Sequence, residues 1–364
     1  MSAANAVRVA LREIDPAIHA PVVDSYKYAA LVVSRVISDG YLQMVKTIPQ
    51  LYRYVYDRAE RATETGPFRA WAQQFTAGNL RPLIERERPD VVICTHAFPC
   101  GAMAEYKKLY ADAPPVVGIV TDFAVHGFWI HSNIDAYVVA TDAIRESMFV
   151  RGIDPKRIAV SGIPINPRFM PSDEPRSLLR ERLGLSLDRQ IVLMMGGGLG
   201  IGPLEEMLRS LQSTPLPLAA VVIVGRNARV ERRVLASAES MNYPVRVLRF
   251  VDNVYDYMHA CDVLVTKPGG LSTAEALCAQ IPMVLCKPLP GQEERNAHLL
   301  VEWGAAVRVR KMDALPSALI QVLGRDQHTM MASAAARAAH PYAARDAAEL
   351  IARIGLLKHE VALS

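Results

Sequence analysis

The run Lys267-Pro-Gly-Gly-Leu-Ser-Thr-Ala-Glu275 carries the strongest chemical signal in the sequence. Asp262–Thr266 before it reads as a strand and Leu271–Gln280 after it as a helix, so Lys267–Gly270 is the turn between them. Glycines such as Gly269 and Gly270 let backbone N–H groups approach a ligand closely, and a helix N-terminus adds partial positive charge. Together they suit a diphosphate. Ser272 and Thr273 add hydroxyl donors, Lys267 a full charge, and Glu275, one turn in, is placed to accept both hydroxyls of a ribose diol. Ser272-x-x-Glu275 fits a capping box equally well, which would hold the helix start and no ligand.

After the next strand comes Pro288-Leu-Pro-Gly-Gln-Glu-Glu-Arg-Asn296. Gln292, Glu293 and Asn296 fall on one face of a helix start, suited to several sugar hydroxyls, or to a solvated first turn. Gly196-Gly-Gly-Leu-Gly-Ile-Gly202, which includes Gly197 and Gly198, also sits between a strand and a helix. A dinucleotide site would want an acidic residue at the end of the following strand, but the sequence there reads Gly225-Arg226-Asn227. These glycines fit better as a loop at a cleft between domains, with Arg226 taking a phosphate or capping its strand. With no Walker A run and no D-x-D motif, no metal or other cofactor is expected.

In the first half, Val91–Thr95 ends on His96, and the next strand ends at Thr121-Asp122, followed by Phe123 and His126-Gly-Phe-Trp129. His96, Asp122 and His126 therefore gather at adjacent strand ends, where a His–Asp arrangement can act as general base on an acceptor hydroxyl. The plainer alternative has Asp122 capping a turn and His126 packing beside Trp129. Phe98, Phe123 and Trp129 are candidates for an apolar acceptor wall or for ordinary core. The Tyr41–Trp71 stretch mixes aromatic and basic residues, as in a helix lying on an anionic membrane, but Asp57, Glu60 and Glu64 interrupt it.

These groups need a scaffold, and the pattern supplies one. Short β-branched runs alternate with amphipathic stretches, the signature of parallel sheets with crossover helices. A helix at Ser2–Glu13 precedes the first expected strand, Pro21–Asp24. Further strands are expected at Val91–Thr95, Val116–Thr121, Ala136–Ala140, Ile191–Met195, Ala220–Val224, Val245–Leu248, Asp262–Thr266, Met283–Cys286 and Ala306–Val309. Three prolines within Ile163–Pro171 bar both helix and sheet there. The expected fold is α/β, two doubly wound domains facing a cleft. Residues 1–163 hold the acceptor, 164–175 form a linker, 176–340 hold the nucleotide sugar, and 341–364 form a helical tail packing back on the first domain.

Composition excludes more than it assigns. At 51% hydrophobic and 21% charged, the 364-residue chain is globular and long enough for two domains. No run spans a bilayer and no signal peptide opens it, so a cytoplasmic location is expected. The net charge of +4 shows no basic stripe, so nucleic acid is not an expected partner. Five cysteines without a C-x-x-C pair read as buried free thiols.

Several motifs, in order, resemble the monogalactosyldiacylglycerol synthase and processive diacylglycerol glucosyltransferase family, which is related to the glycosyltransferase forming peptidoglycan lipid II. They are Thr95-His-Ala-Phe-Pro, Thr121-Asp-Phe-Ala-Val-His-Gly-Phe-Trp129, Ser161-Gly-Ile-Pro-Ile-Asn-Pro-Arg-Phe169, Lys267-Pro-Gly-Gly-Leu-Ser-Thr-Ala-Glu275 and Pro290-Gly-Gln-Glu-Glu-Arg-Asn296. The resemblance covers Ser2 to about Arg310. It implies a GT-B fold, an inverting hexosyltransferase, a UDP-sugar, and a diacylglycerol-like lipid acceptor reached peripherally at the cytoplasmic membrane face. It also implies that uracil lies near Phe250 and Val251, the diphosphate near Gly197 and Gly270-Leu271-Ser272-Thr273, the ribose at Glu275, and the hexose at Gln292, Glu293 and Asn296. The family's pattern opens with a strand and a Gly-x-Gly-His loop ahead of the helix that here starts at Ser2. The expectation is therefore a start upstream of Met1, or His96 or Asp122 serving in that histidine's place. Two other functions remain: a UDP-sugar 2-epimerase, which shares the architecture, and a non-catalytic UDP-sugar-binding protein.

Overall fold

The computed structural model describes residues 2–28, 67–197 and 202–363. The Tyr41–Trp71 stretch, apart from its end, lies outside these residues, as does Gly198. The chain divides into two compact units, one of residues 1–166, 289–292 and 342–364, the other of residues 167–288 and 293–341.

In the first unit α1 (Ser2–Ile14), α2 (Pro67–Glu87), β1 (Val92–Cys94), α3 (Ala97–Leu109), β2 (Val116–Ile119), β3 (Ala136–Val139), α4 (Asp142–Val150) and β4 (Ile158–Val160) follow in order. The four strands pair in parallel as β1-β2-β3-β4. β2 and β3 are apolar throughout because a parallel sheet is covered on both faces. Ala3, Ala6, Val7, Ala10 and Leu11 recur at helical spacing on α1 and are buried. Most of that stripe packs with Val117, Ile119, Ala136 and Val138 of the sheet and with Ala344, Ala347, Ala348 and Ile351. The last four belong to the C-terminal helix Ala343–Leu363.

The strand expected at Pro21–Asp24 does not form; that segment is irregular and leads into a 3-10 turn at Ser25–Tyr28. Pro21 cannot donate to a ladder. Asp24 Oδ1 accepts the N–H of Tyr26 at 3.1 Å, a local bond that competes with strand pairing. β4 was not expected. It is three residues long, too short to show a period.

The second unit runs α5 (Arg176–Leu183), β5 (Gln190–Met195), α6 (Leu204–Ser210), β6 (Leu218–Gly225), α7 (Ala228–Ala238), β7 (Val245–Arg249), α8 (Val254–Ala260), β8 (Val263–Thr266), α9 (Gly270–Cys278), β9 (Met283–Cys286), α10 (Gln292–Glu302, whose first residue, Gln292, groups with the first unit), β10 (Ala306–Val309), α11 (Leu315–Leu323) and α12 (Arg325–Ala338). Its parallel sheet has the order β10-β9-β8-β5-β6-β7, so the winding reverses between β5 and β8. Val192 and Met194 of β5, Val263 and Val265 of β8 and Val284 of β9 anchor its core. In such sheets ligands bind beyond the C-terminal strand ends at that reversal. The loops that start at Gly196 and Lys267 leave the sheet there, side by side. The buried Thr266 hydroxyl donates to the Met195 carbonyl at 3.0 Å and ties them together. All five cysteines are free and buried.

Candidate active site

The N-cap of α9 is Gly269, with φ −75° and ψ 135°, and no side chain caps it. Ser272 is therefore the third residue of the helix and not its cap, so the capping-box alternative is not what is built. The N–H groups of the first turn have no intrahelical acceptor and remain available to a ligand. Thr273 departs from its expected role. Its hydroxyl is buried and donates to the Gly269 carbonyl at 2.8 Å, which braces the turn from within.

Glu275 is partly buried, and desolvation pushes its carboxyl up to about 8. An acid held neutral by desolvation becomes a strong acceptor once hydroxyls donate to its charged form. Lys267 Nζ and Glu293 Oε1 form an ion pair at 2.9 Å. Asn296, expected to face a sugar, is fully buried instead, and its Nδ2 donates to the Pro268 carbonyl at 3.0 Å.

On the neighbouring loop the Gly202 N–H donates to the Gly196 carbonyl at 3.1 Å, and Gly197 has φ +77°. A Cβ on Gly202 would stand 2.6 Å from Gly196 Cα, a backbone atom that cannot swing aside. Gly202→Ala is therefore expected to displace Gly196 and, if the UDP-sugar expected from the sequence binds here, to raise its KM about tenfold or more, since a misplacement of about 1 Å at a site is costly. Steady-state kinetics on the folded variant check this.

At the ends of β6 and β7, the Arg226 guanidinium lies 4.3 Å from the centre of the Phe250 ring, and both side chains are exposed. Val251 follows, partly buried. Asn227 is committed elsewhere: its Oδ1 caps α7 by accepting the N–H groups of Arg229 and Val230, each at 3.2 Å.

In the first unit, β1 and β2 are neighbours, and the Thr121 hydroxyl reaches the Thr95 carbonyl at 3.5 Å, so His96 and Asp122 follow strand ends that emerge together. His96 is the N-cap of α3, and its Nδ1 accepts the Phe98 N–H at 3.3 Å. His126 caps the Gly127–Trp129 turn in the same way, through Phe128 N–H at 3.2 Å. A neutral ring that accepts at Nδ1 carries its proton on Nε2 and presents a donor there. This disfavours both histidines as the general base. Asp122 accepts from Gln292 Nε2 at 2.9 Å, both residues belonging to this unit.

Phe123 and Trp129 are core residues and not an acceptor wall; both are buried, and the Trp129 carbonyl accepts the Tyr137 hydroxyl at 2.7 Å. Phe98 is only partly buried and stacks on Tyr26, with ring centres 5.5 Å apart. Tyr26 also sets its hydroxyl 3.3 Å from His96 Nδ1. No spacing rule connects residues 70 apart in the chain, so Tyr26 carried no signal in the sequence.

Two parallel-sheet units, the second with its winding reversed between β5 and β8, match solved structures of known fold. The chain is similar to the crystal structure of Acinetobacter baumannii MurG, with 18% identity, TM-score 0.57, and 78% of this chain and 79% of that one covered. It is similar also to a putative UDP-N-acetylglucosamine 2-epimerase from Listeria monocytogenes, with 17% identity, TM-score 0.56 and 76% of each chain covered. The family model of the glycosyltransferase family 28 C-terminal domain matches residues 191–353. The class is therefore a glycosyltransferase of the GT-B fold.

The first unit sharpens this. The family model for monogalactosyldiacylglycerol (MGDG) synthase matches residues 1–165. A processive diacylglycerol beta-glucosyltransferase of Bacillus pumilus (strain SAFR-032) is 30% identical over 84% of this chain and 79% of its own length. The chain belongs to the family of MGDG synthases and processive diacylglycerol glucosyltransferases.

Proposed function

We propose that this glycosyltransferase moves a hexose, with inversion, from a UDP-sugar to a diacylglycerol-like acceptor at the cytoplasmic face of the membrane. The observation that carries the reading is the uncapped start of α9 at the sheet reversal, beside Gly196 and Gly197. An aspartate, Asp122, takes the proton of the acceptor hydroxyl as its oxygen attacks the anomeric carbon. The bond to UDP breaks with its electron pair moving onto the diphosphate. First-turn N–H groups of α9 and the Ser272 hydroxyl meet that developing charge, with Lys267 contributing in part because Glu293 already pairs with it. Glu275 holds the ribose hydroxyls, and uracil lies by Phe250 and Val251. The acceptor names borne by relatives support a lipid substrate. Among the described residues no helix is long and apolar enough to cross a membrane, so contact with the bilayer is peripheral in this reading.

The protein supplied with UDP-glucose, UDP-galactose or UDP-N-acetylglucosamine and diacylglycerol should release UDP. Absence of release with every pair would overturn the proposal. Because the diphosphate's charge is met by backbone dipoles and no D-x-D motif is present, excess chelator is expected to leave the rate within about twofold. A steeper loss that magnesium or manganese restores would assign a metal to the reaction. The likeness in fold to an epimerase favours a second reading. It predicts conversion of UDP-N-acetylglucosamine with no acceptor present.

A further inference from the structure

His96 and Tyr26 meet at the strand ends of the first unit in an arrangement that the transfer step above does not use. His96 follows β1 and caps α3, its Nδ1 accepting the Phe98 N–H at 3.3 Å. The Tyr26 hydroxyl reaches the same nitrogen at 3.3 Å, and because Nδ1 already accepts, the phenol is the donor. The Tyr26 ring is itself held, stacked on Phe98 with centres 5.5 Å apart and planes 7° from parallel. Two donors on one nitrogen fix the imidazole's rotation as well as its tautomer, with the proton on Nε2. Among the described residues no group bonds to that Nε2, and His96 is exposed. His126 caps its turn in the same manner but is buried.

A diacylglycerol offers one hydroxyl, which donates, and two ester carbonyls, which only accept. A site that orients it needs an acceptor for the first and a donor for one of the others. Asp122 supplies the acceptor, and His96, with its proton fixed on Nε2, supplies a donor. Both follow the adjacent strands β1 and β2, whose spacing is about 5 Å. A donor preset in this way loses little freedom when the lipid arrives.

We propose that His96 donates through its Nε2–H to an ester carbonyl of the lipid acceptor, with Tyr26 as the positioning residue that holds the ring. The inference rests on the glycosyl-transfer reading above and adds to it a selection for ester-linked over ether-linked lipids.

Initial rates with the full chain, a UDP-sugar, and micelles of diacylglycerol or of the matching dialkylglycerol ether test this. No UDP release with either lipid and any UDP-sugar would sink the transfer reading itself. With turnover established, the wild-type KM for the ether lipid is expected to exceed that for the ester lipid about fivefold, the worth of one ordinary hydrogen bond. His96→Asn keeps a cap for α3 but has no imidazole N–H, so it should raise KM for the ester lipid to the ether value and leave the ether value alone. Tyr26→Phe keeps the ring stack and should move KM the same way. The double variant should go no further than His96→Asn, because Tyr26 acts through His96. Calorimetric titration should find the Kd for the UDP-sugar unchanged in all three, with melting curves confirming that they are folded; if His96→Asn does not fold, Tyr26→Phe decides. The inference is overturned if the wild type takes both lipids with equal KM, if the ester preference survives His96→Asn, if either variant weakens both lipids alike, or if the two single effects add.

Discussion

Asp122→Asn is expected to lower kcat by about 10²- to 10⁴-fold, the usual worth of a positioned proton acceptor, while the Kd for the UDP-sugar stays at its wild-type value. An asparagine keeps the shape and can still accept from Gln292 Nε2, which lies 2.9 Å from the native carboxylate, but it cannot take a proton. The two nearby histidines provide the contrast. Each spends its Nδ1 lone pair on a backbone N–H as an N-cap, so His96→Asn and His126→Asn supply another good cap and should leave most of kcat in place. Single-turnover measurements at saturating UDP-sugar separate the chemical step from binding. If His96→Asn removes the activity and Asp122→Asn keeps it, the proton acceptor is His96.

The contrast between Asp122 and the histidines shows where reading the sequence stops. Apart from the three-residue β4, the strands of both units were legible, most of them because parallel strands are covered on two faces and appear as unbroken apolar runs, as in Val116–Ile119 and Met283–Cys286. Pro21–Asp24 has the same look over four residues, yet Asp24 turns the chain locally. In the site, which loops meet was legible from strand–turn–helix order alone, because topology puts the ends of β5 and β8 together. What each polar side chain does was not. Thr273, Asn227 and Asn296 have the residue types that hold ligands, and all three bond to the backbone around the ligand loops. Residue type and spacing fix which elements carry a side chain; its direction depends on where the helix begins. At α9 the start is Gly269, three residues ahead of Ser272, and that offset rules out the capping box and leaves the first-turn N–H groups uncapped. Trp129 makes the same point for apolar residues, since a strand-end aromatic serves as wall or core depending on packing alone.

The affinity for UDP-glucose is expected to rise with pH up to about 8 and then level off, with the slope residing in Glu275. Burial pushes this carboxyl up from its ordinary value near 4.5 to about 8, so at neutral pH the free protein holds it protonated. Two ribose hydroxyls donating to it favour the charged form, and binding then expels a proton. Below pH 8 the Kd should fall by up to about tenfold per pH unit, the limit for one proton released. UDP-glucose suits this measurement because it lacks the terminal phosphate of UDP, whose second ionisation lies near pH 6. Titrations in buffers of differing ionisation enthalpy count the proton directly. Glu275→Gln should abolish the pH slope, and Glu275→Ala should weaken binding on the order of a hundredfold, the worth of two hydrogen bonds to a charged group. Stability moves the opposite way. A carboxyl whose folded pKa is raised stabilises the fold below pH 4.5 and loses that contribution as pH climbs toward 8. The melting temperature of Glu275→Gln should therefore gain on the wild type across that window. A pH slope that survives in Glu275→Gln would place the ribose on another residue.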